Sequence, residues 1–247
     1  MKIRFKNINK NFDKKLVLNN INFSINSGSV YCLLGRNGSG KSTLISLISQ
    51  LIEPSSGQVT TTKSEKIISS YEMKQKMGLL SQHDTLVEEL NVYDFLLFIG
   101  LIYKVDEIRL EKNIKKLINY FFLKSEDTTK QIKTYSSGMK KKVQICAAFL
   151  HDPEIVLLDE PFSNLDTISC NKLCNLINEF STIDKIVLVC SHNLNYVNKV
   201  ATHIGILEGS LLIYNDDLAN FKDNGKDNIE HTLLSYIQKD KQEIYLG

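Results

Sequence analysis

A chain of 247 residues with 43% hydrophobic and 23% charged side chains can bury one sizeable core, and its balance is that of an ordinary globular protein. Its net charge of +2 provides no general basic field, which argues against nucleic acid as a partner. The longest apolar run, "FLLFIGLIY" at 95–103, has about half of the roughly 20 residues that a membrane-spanning helix needs, and the polar start carries no signal-peptide pattern.

In chain order, "KIRFKNI" and "LNNINFSI" read as short strands, and "SVYCLLG" as a buried strand that ends at Gly35. "KSTLISLISQL" has helical periodicity and closes before Pro54. "MGLLSQ" (77–82), "EIVLLDE" (154–160) and "KIVLVCSH", which ends at His192, are apolar strands that finish on polar residues. Strands interleaved with helices predict an α/β fold whose mostly parallel sheet places ligands at its carboxyl edge. Residues 84–152 break the rhythm with helical patterns and no convincing strand, so an inserted helical lobe is expected there. "HIGILEGSLLIY" reads as a hairpin turning at Gly209, and 216–247 as short terminal helices. Together these predict a single domain over 1–247. Cys32, Cys146, Cys170, Cys174 and Cys190 form no C-x-x-C pair and mostly sit in apolar runs, as buried thiols of a reduced compartment do. Cys170 and Cys174 could share a helix face, but too few ligands lie near them to hold a metal.

Two short stretches carry chemistry. "GRNGSGKST" spans 35–43 between a buried strand and a helix, and it satisfies the phosphate-loop pattern through Gly35, Gly40, Lys41 and Ser42. Its glycines let successive backbone N–H groups converge on phosphate oxygens. Lys41 then reaches the β/γ oxygens, and the Ser42 hydroxyl is placed to ligate Mg²⁺. In "EIVLLDE", Asp159 at the strand end is suited to hold Mg²⁺ through water, and Glu160 to polarise a water toward the γ-phosphate. A third stretch, "TYSSGMKKKVQI" (134–145), poses a puzzle. Ser136 is a natural helix N-cap, yet three lysines crowd the positive end of the helix dipole, as if that end were built to meet an anion.

The ordered set Gly35–Thr43, Gln82, "SSGMKKK", "IVLLDEP", "SNLD" and "CSH" resembles the ATP-binding domain of ABC proteins over roughly residues 2–215. The resemblance implies a P-loop NTPase core with an N-terminal antiparallel β region, and ATP with Mg²⁺ as cofactors. It assigns Asn37, Gly38, Ser39, Gly40, Lys41, Ser42 and Thr43 to the phosphates. It makes Ser42, Gln82 and Asp159 metal-site residues, and Glu160, His192, Gln82 and Lys41 the hydrolytic set. Ser136 and Gly138 would contact the γ-phosphate of ATP held by a second copy, and Asp166 would communicate between the two sites. Phe12 stands where the family places an aromatic against adenine. The signature departs from Leu-Ser-Gly-Gly-Gln at Tyr135, Ser137 and Met139, and Asn164 replaces a small residue in "SNLD".

A Ser-x-Gly-Met signature, the segment "SQHDTLVEELNVYDFLLFIGLIYK" and the tail "NIEHTLLSYIQK" resemble a branch of exporters whose membrane subunit is a separate chain. That resemblance implies a transmembrane permease partner, a second ATP-binding subunit, and a place on the cytoplasmic face of a membrane. The alternatives are an importer subunit, a soluble ABC ATPase acting on ribosomes or DNA, and a regulatory module without turnover. The single domain and the lack of long heptads weigh against the soluble class, and Glu160 and His192 against the regulatory one.

Overall fold

The computed structural model describes residues 1–82, 85–123 and 126–222. The chain opens with β1 (Lys2–Phe12), β2 (Lys15–Asn26) and β3 (Ser29–Leu34), followed by α1 (Lys41–Ile48). Next come β4 (Ser56–Lys63), β5 (Lys66–Ile67), α2 (Ser70–Gln75) and β6 (Met77–Leu80). The helices α3 (Val92–Ile102), α4 (Glu107–Phe121) and α5 (Ser137–Phe149) follow, with no strand among the described residues between β6 and β7 (Ile155–Asp159). The chain continues with α6 (Thr167–Phe180), β8 (Ile186–Cys190), α7 (Leu194–Val200), β9 (His203–Glu208), β10 (Leu211–Asp217) and α8 (Leu218–Phe221). The expected helical lobe and the hairpin at Gly209 are therefore present. Of the expected terminal helices, α8 is seen, and the remainder of the tail falls outside the described residues.

Two sheets form. One has six strands in the order β10-β9-β3-β8-β7-β6, parallel except for β10. The other is antiparallel, in the order β2-β1-β4-β5. The residue types explain the division. β3, β7 and β8 are buried at every position, as parallel strands covered on both faces must be. β1 and β2 bury only part of their residues, and across them Phe5 stacks on Phe23 with ring centroids 4.3 Å apart. Neither β4 nor β5 is legible in the sequence, because the half-exposed "SGQVTTTK" lacks a clean apolar alternation.

The strand period of two splits the core into two bodies. Val30, Cys32 and Leu34 of β3 face the helical lobe together with Phe95, Leu110, Ile114, Val143 and Cys146. Tyr31 and Leu33 face the other way, toward α1 and the antiparallel sheet. In α4, Leu110, Ile114, Leu117 and Phe121 lie on one helical stripe and are buried, while Asp106 caps its first turn by accepting from the Arg109 N–H. All five cysteines are buried free thiols.

Register fixes the site. Leu33 lies opposite Cys190, and Cys190 opposite Asp159, so the residues following β3, β7 and β8 emerge side by side. Leu80 pairs with Leu158, which brings Gln82 to the same edge.

Candidate nucleotide site

The loop after β3 ends at Gly40, which caps α1 in the left-handed region at φ +108°. Its conformation calls for glycine, and β2 leaves little room beside it, since a Cβ there would sit 2.8 Å from Leu18 Cδ2 and 3.1 Å from the Val17 carbonyl oxygen. Val17, Asn37, Gly38, Gly40, Lys41, Ser42, Thr43, Gln82, Asp159 and Glu160 line one pocket at the carboxyl edge. Most of the sequence-derived site thus converges. Gly35 and Ser39 stand behind the loop, and the Ser39 hydroxyl is buried without a hydrogen-bond partner among the described residues.

Lys41 is buried, and its ammonium donates to the carbonyls of Gly35 (2.8 Å) and Arg36 (3.1 Å). It also lies 3.7 Å from Glu160 Oε1. A cation held by two dipoles and one carboxylate at the pocket wall is a fixed positive charge presented to whatever enters.

Asp159 closes β7 and is buried. Burial, with the charge of Glu160 beside it, holds its carboxyl above the usual range, against a hydrogen bond from Ser42 and the charge of Lys41. Its Oδ1 is buried with no hydrogen-bond partner among the described residues. An orphaned carboxylate oxygen next to a serine hydroxyl suits a divalent cation, which would satisfy that oxygen and offset the burial cost. The donor set Ser42, Gln82 and Asp159 therefore fits Mg²⁺.

Glu160 leaves the sheet in the left-handed region at φ +45°, unusual for a non-glycine, and its N–H donates to the Cys190 carbonyl at 2.9 Å. The turn swings its side chain back over the pocket. There Oε2 lies 3.0 Å from His192 Nδ1, while Oε1 is buried without a hydrogen-bond partner among the described residues. His192 itself is exposed, 63% of its side chain facing solvent.

The signature segment lies elsewhere. Ser136 caps α5 as expected, accepting from the Met139 N–H at 3.3 Å, and neither it nor Gly138 lines the pocket. Gly138 packs against the "SNLD" turn, where a Cβ would lie 2.7 Å from the Asn164 carbonyl oxygen. The three lysines do not gather around the helix start, which corrects the expectation drawn from their sequence. Lys140 pairs with Glu88 at 2.5 Å and Lys142 with Glu126 at 2.8 Å, and both Lys141 and Lys142 are buried. A helix turns each residue by about 100°, so three consecutive lysines must leave on different sides. Asp166 caps α6 by accepting from the N–H and hydroxyl of Ser169, and those bonds hold its carboxyl below the usual range. Lys142 reaches to within 4.0 Å of it.

Phe12 sits beside the β1–β2 turn, 46% exposed, with the Lys10 ammonium 4.9 Å from its ring centroid. It is not core, and it stands outside the phosphate pocket. Sequence reasoning missed Val17, the apolar wall of that pocket, because it sits in an unremarkable strand alternation. It also missed the tie from Glu88 and Glu126 to the signature helix, since pairing across 52 and 16 residues leaves no local pattern.

A parallel sheet whose carboxyl edge carries a glycine-rich loop, a buried lysine, a serine at the helix start and a carboxylate pair defines a P-loop nucleotide-binding domain. A family model described as "ABC transporter" matches residues 18–163. The linearmycin resistance ATP-binding protein LnrL of Bacillus subtilis is 32% identical over 211 residues, covering 85% of this chain and 68% of that protein. The lantibiotic transport ATP-binding protein SrtF of Streptococcus pyogenes is 29% identical over 241 residues, covering 97% of this chain and 99% of that protein. A solved structure of the ATP-binding subunit of an ABC transporter matches the fold with a TM-score of 0.85 at 23% identity, over 96% of this chain and 100% of the other. The chain belongs to the ABC transporter family and is an ATP-binding domain of that family.

Proposed function

We propose that this chain is the ATP-hydrolysing subunit of an exporter, that it pairs with a second ATP-binding subunit around two ATP molecules, and that it drives a separate transmembrane subunit from the cytoplasmic face of the membrane. One observation carries the pairing. Ser136 is exposed at the start of α5, beside an approach of Gly138 to Asn164 that only glycine permits, and neither residue lines the chain's own phosphate pocket. Uncommitted N–H groups at a helix start favour an anion, and the anion within reach of two facing copies is the partner's γ-phosphate.

Within the pocket, the loop N–H groups from Asn37 to Thr43 and the Lys41 ammonium hold the triphosphate. Glu160, its buried Oε1 without a hydrogen-bond partner among the described residues, takes the proton of the attacking water. His192 holds Glu160 in register through the 3.0 Å contact at Nδ1 and reaches the γ-phosphate from its exposed position. Mg²⁺, when bound through Ser42, Gln82 and Asp159, supplies charge neutralisation on the β- and γ-oxygens. Phe12, exposed at the hairpin, stacks on adenine. Asp166 links the two sites through the rigid cap that it makes on α6.

Export is supported by the Met139 signature variant and by the names of the relatives, a resistance protein and a lantibiotic transport protein. For the membrane subunit, α3 offers Phe98, Leu101 and Ile102, all exposed and apolar on a helix downstream of Gln82. No helix among the described residues is long and apolar enough to cross a membrane.

The pairing is tested in trans. Lys41→Ala and Ser136→Arg should each abolish ATPase activity alone, because every site then lacks one half. Mixing the two inactive proteins should restore activity, since one of the two sites in a mixed dimer is intact. No recovery, together with no nucleotide trapped in the mixture, would mean that Ser136 serves its own chain.

A further inference from the structure

We propose that Asn37–Gly38 is a self-modification site, where the phosphate loop deamidates unless nucleotide is bound, and that the product binds ATP poorly. In this reaction the Gly38 backbone nitrogen attacks the Asn37 side-chain carbonyl carbon. A Gly38 N–Cγ bond forms, ammonia leaves, and a succinimide closes. Water then opens the ring at either carbonyl to give aspartate or isoaspartate. Water is the sole co-reactant, and no electrons are exchanged.

Three conditions govern the step, and the loop meets each of them. The attacking nitrogen must be uncommitted, and among the described residues the Gly38 N–H makes no hydrogen bond. The attacked amide must be free to rotate, and Asn37 is exposed with no hydrogen bond to its side chain among those residues. The following residue must not obstruct ring closure, and Gly38 has no side chain to do so. Gly38 stands at φ +83° in a turn closed by one bond, from the Ser39 N–H to the Arg36 carbonyl at 3.2 Å. That geometry matches the third residue of a type II turn, which holds Asn37 at ψ of about +120°. The Asn37–Gly38 peptide must therefore rotate to bring its nitrogen onto the side-chain carbon, and only one long hydrogen bond resists that rotation.

A neighbouring pair provides the contrast. At Asn26–Ser27 the following N–H donates to the Met1 carbonyl at 2.8 Å, which holds the attacking nitrogen.

The same loop amides that free the nitrogen for attack are those that a triphosphate engages. Bound nucleotide therefore restrains the turn and slows ring closure. The product places a new negative charge on the pocket wall that Asn37 lines, facing a tetra-anionic ligand. An isoaspartate also adds a methylene to the backbone, which displaces the loop.

The test uses the intact chain at mildly alkaline pH and 37 °C, with and without Mg-ATP, followed by peptide mapping and an isoaspartate assay. A synthetic peptide of residues 33–42 is the reference for an unrestrained loop. The expected result is an NH-to-O mass change at Asn37 in the nucleotide-free protein, approaching the peptide's rate, suppressed by Mg-ATP and absent at Asn26. The converted fraction should show ATP affinity reduced about tenfold or more, as should an Asn37→Asp variant. An Asn37 that survives while the peptide converts would overturn the proposal, as would equal rates with and without Mg-ATP. Conversion with unchanged affinity would overturn the link to binding.

Discussion

Two stretches of this chain are written in similar letters, small residues and glycine running into lysine, yet they fold to opposite ends. In "GSGKST" the single lysine is drawn inward, where Gly35, Arg36 and Glu160 hold its charge at the wall of a pocket. In "SSGMKKK" Lys140 and Lys142 are satisfied by Glu88 and Glu126 of the lobe. The first region presents its cation at a pocket wall, and the second uses Lys140 and Lys142 to tie the lobe together. A lysine's role depends on which carboxylates the fold brings to it, and the local sequence does not specify those.

The largest effect that tests this contrast is expected at Glu160. Glu160→Gln removes the inward-facing carboxylate and keeps its shape, so hydrolysis should fall by about 10²–10⁴. ATP binding should persist, and ATP-bound dimer should accumulate in size-exclusion chromatography with Mg-ATP. A mutant that hydrolyses normally and remains monomeric would remove Glu160 from the role of base.

The two lysines should then separate cleanly. Lys41→Ala should cost about 1.5–3 kcal/mol of ATP affinity by calorimetry, the range of a hydrogen bond to a charged group. Its thermal stability should change little, because Glu160 retains the His192 contact. Lys142→Ala should do the reverse. It strands Glu126, whose side chain is only 17% exposed, and should cost up to about 3 kcal/mol of folding stability. Its ATP affinity should stay near wild type. Adding Glu126→Gln should recover part of the loss, because the neutral amide is cheaper to bury than an unpaired carboxylate. If Lys142→Ala weakened ATP binding as Lys41→Ala does, the contrast between the regions would fail.

The smallest effect is expected at the hairpin. Phe12→Ala should weaken ATP binding by about 1–3 kcal/mol through lost stacking, with Mg²⁺ dependence intact. Stability should be nearly unchanged, because the ring is half exposed. A large fall in melting temperature with unchanged affinity would make Phe12 a structural residue.

Much of the fold is legible because its signals are local. The predominantly apolar runs of β3, β7 and β8 read as buried parallel strands, and the residues expected at the site lie at or just beyond their carboxyl ends. The stripe of α4 announces its buried face, and Gly209 its turn. β4 escapes notice because its threonines and glutamine are held by pairing with β1 rather than by burial of a face. Phe12, which composition alone could assign to a core, is exposed, and nothing in its neighbours' sequence says so.

By itself, then, the sequence determined the phosphate loop, the carboxylate pair, the alternation of strands and helices, and the capping serine, since each depends on chemistry within a few residues. Only the tertiary structure decided the inward turn of Glu160, the orphaned oxygen of Asp159 beside Ser42, the wall made by Val17 and the diversion of Lys140 and Lys142 to distant carboxylates. The reason is physical. Charges and lone pairs are satisfied by whatever lies within about 3 Å, and which groups come that close is set by strand register and helix packing across the whole chain.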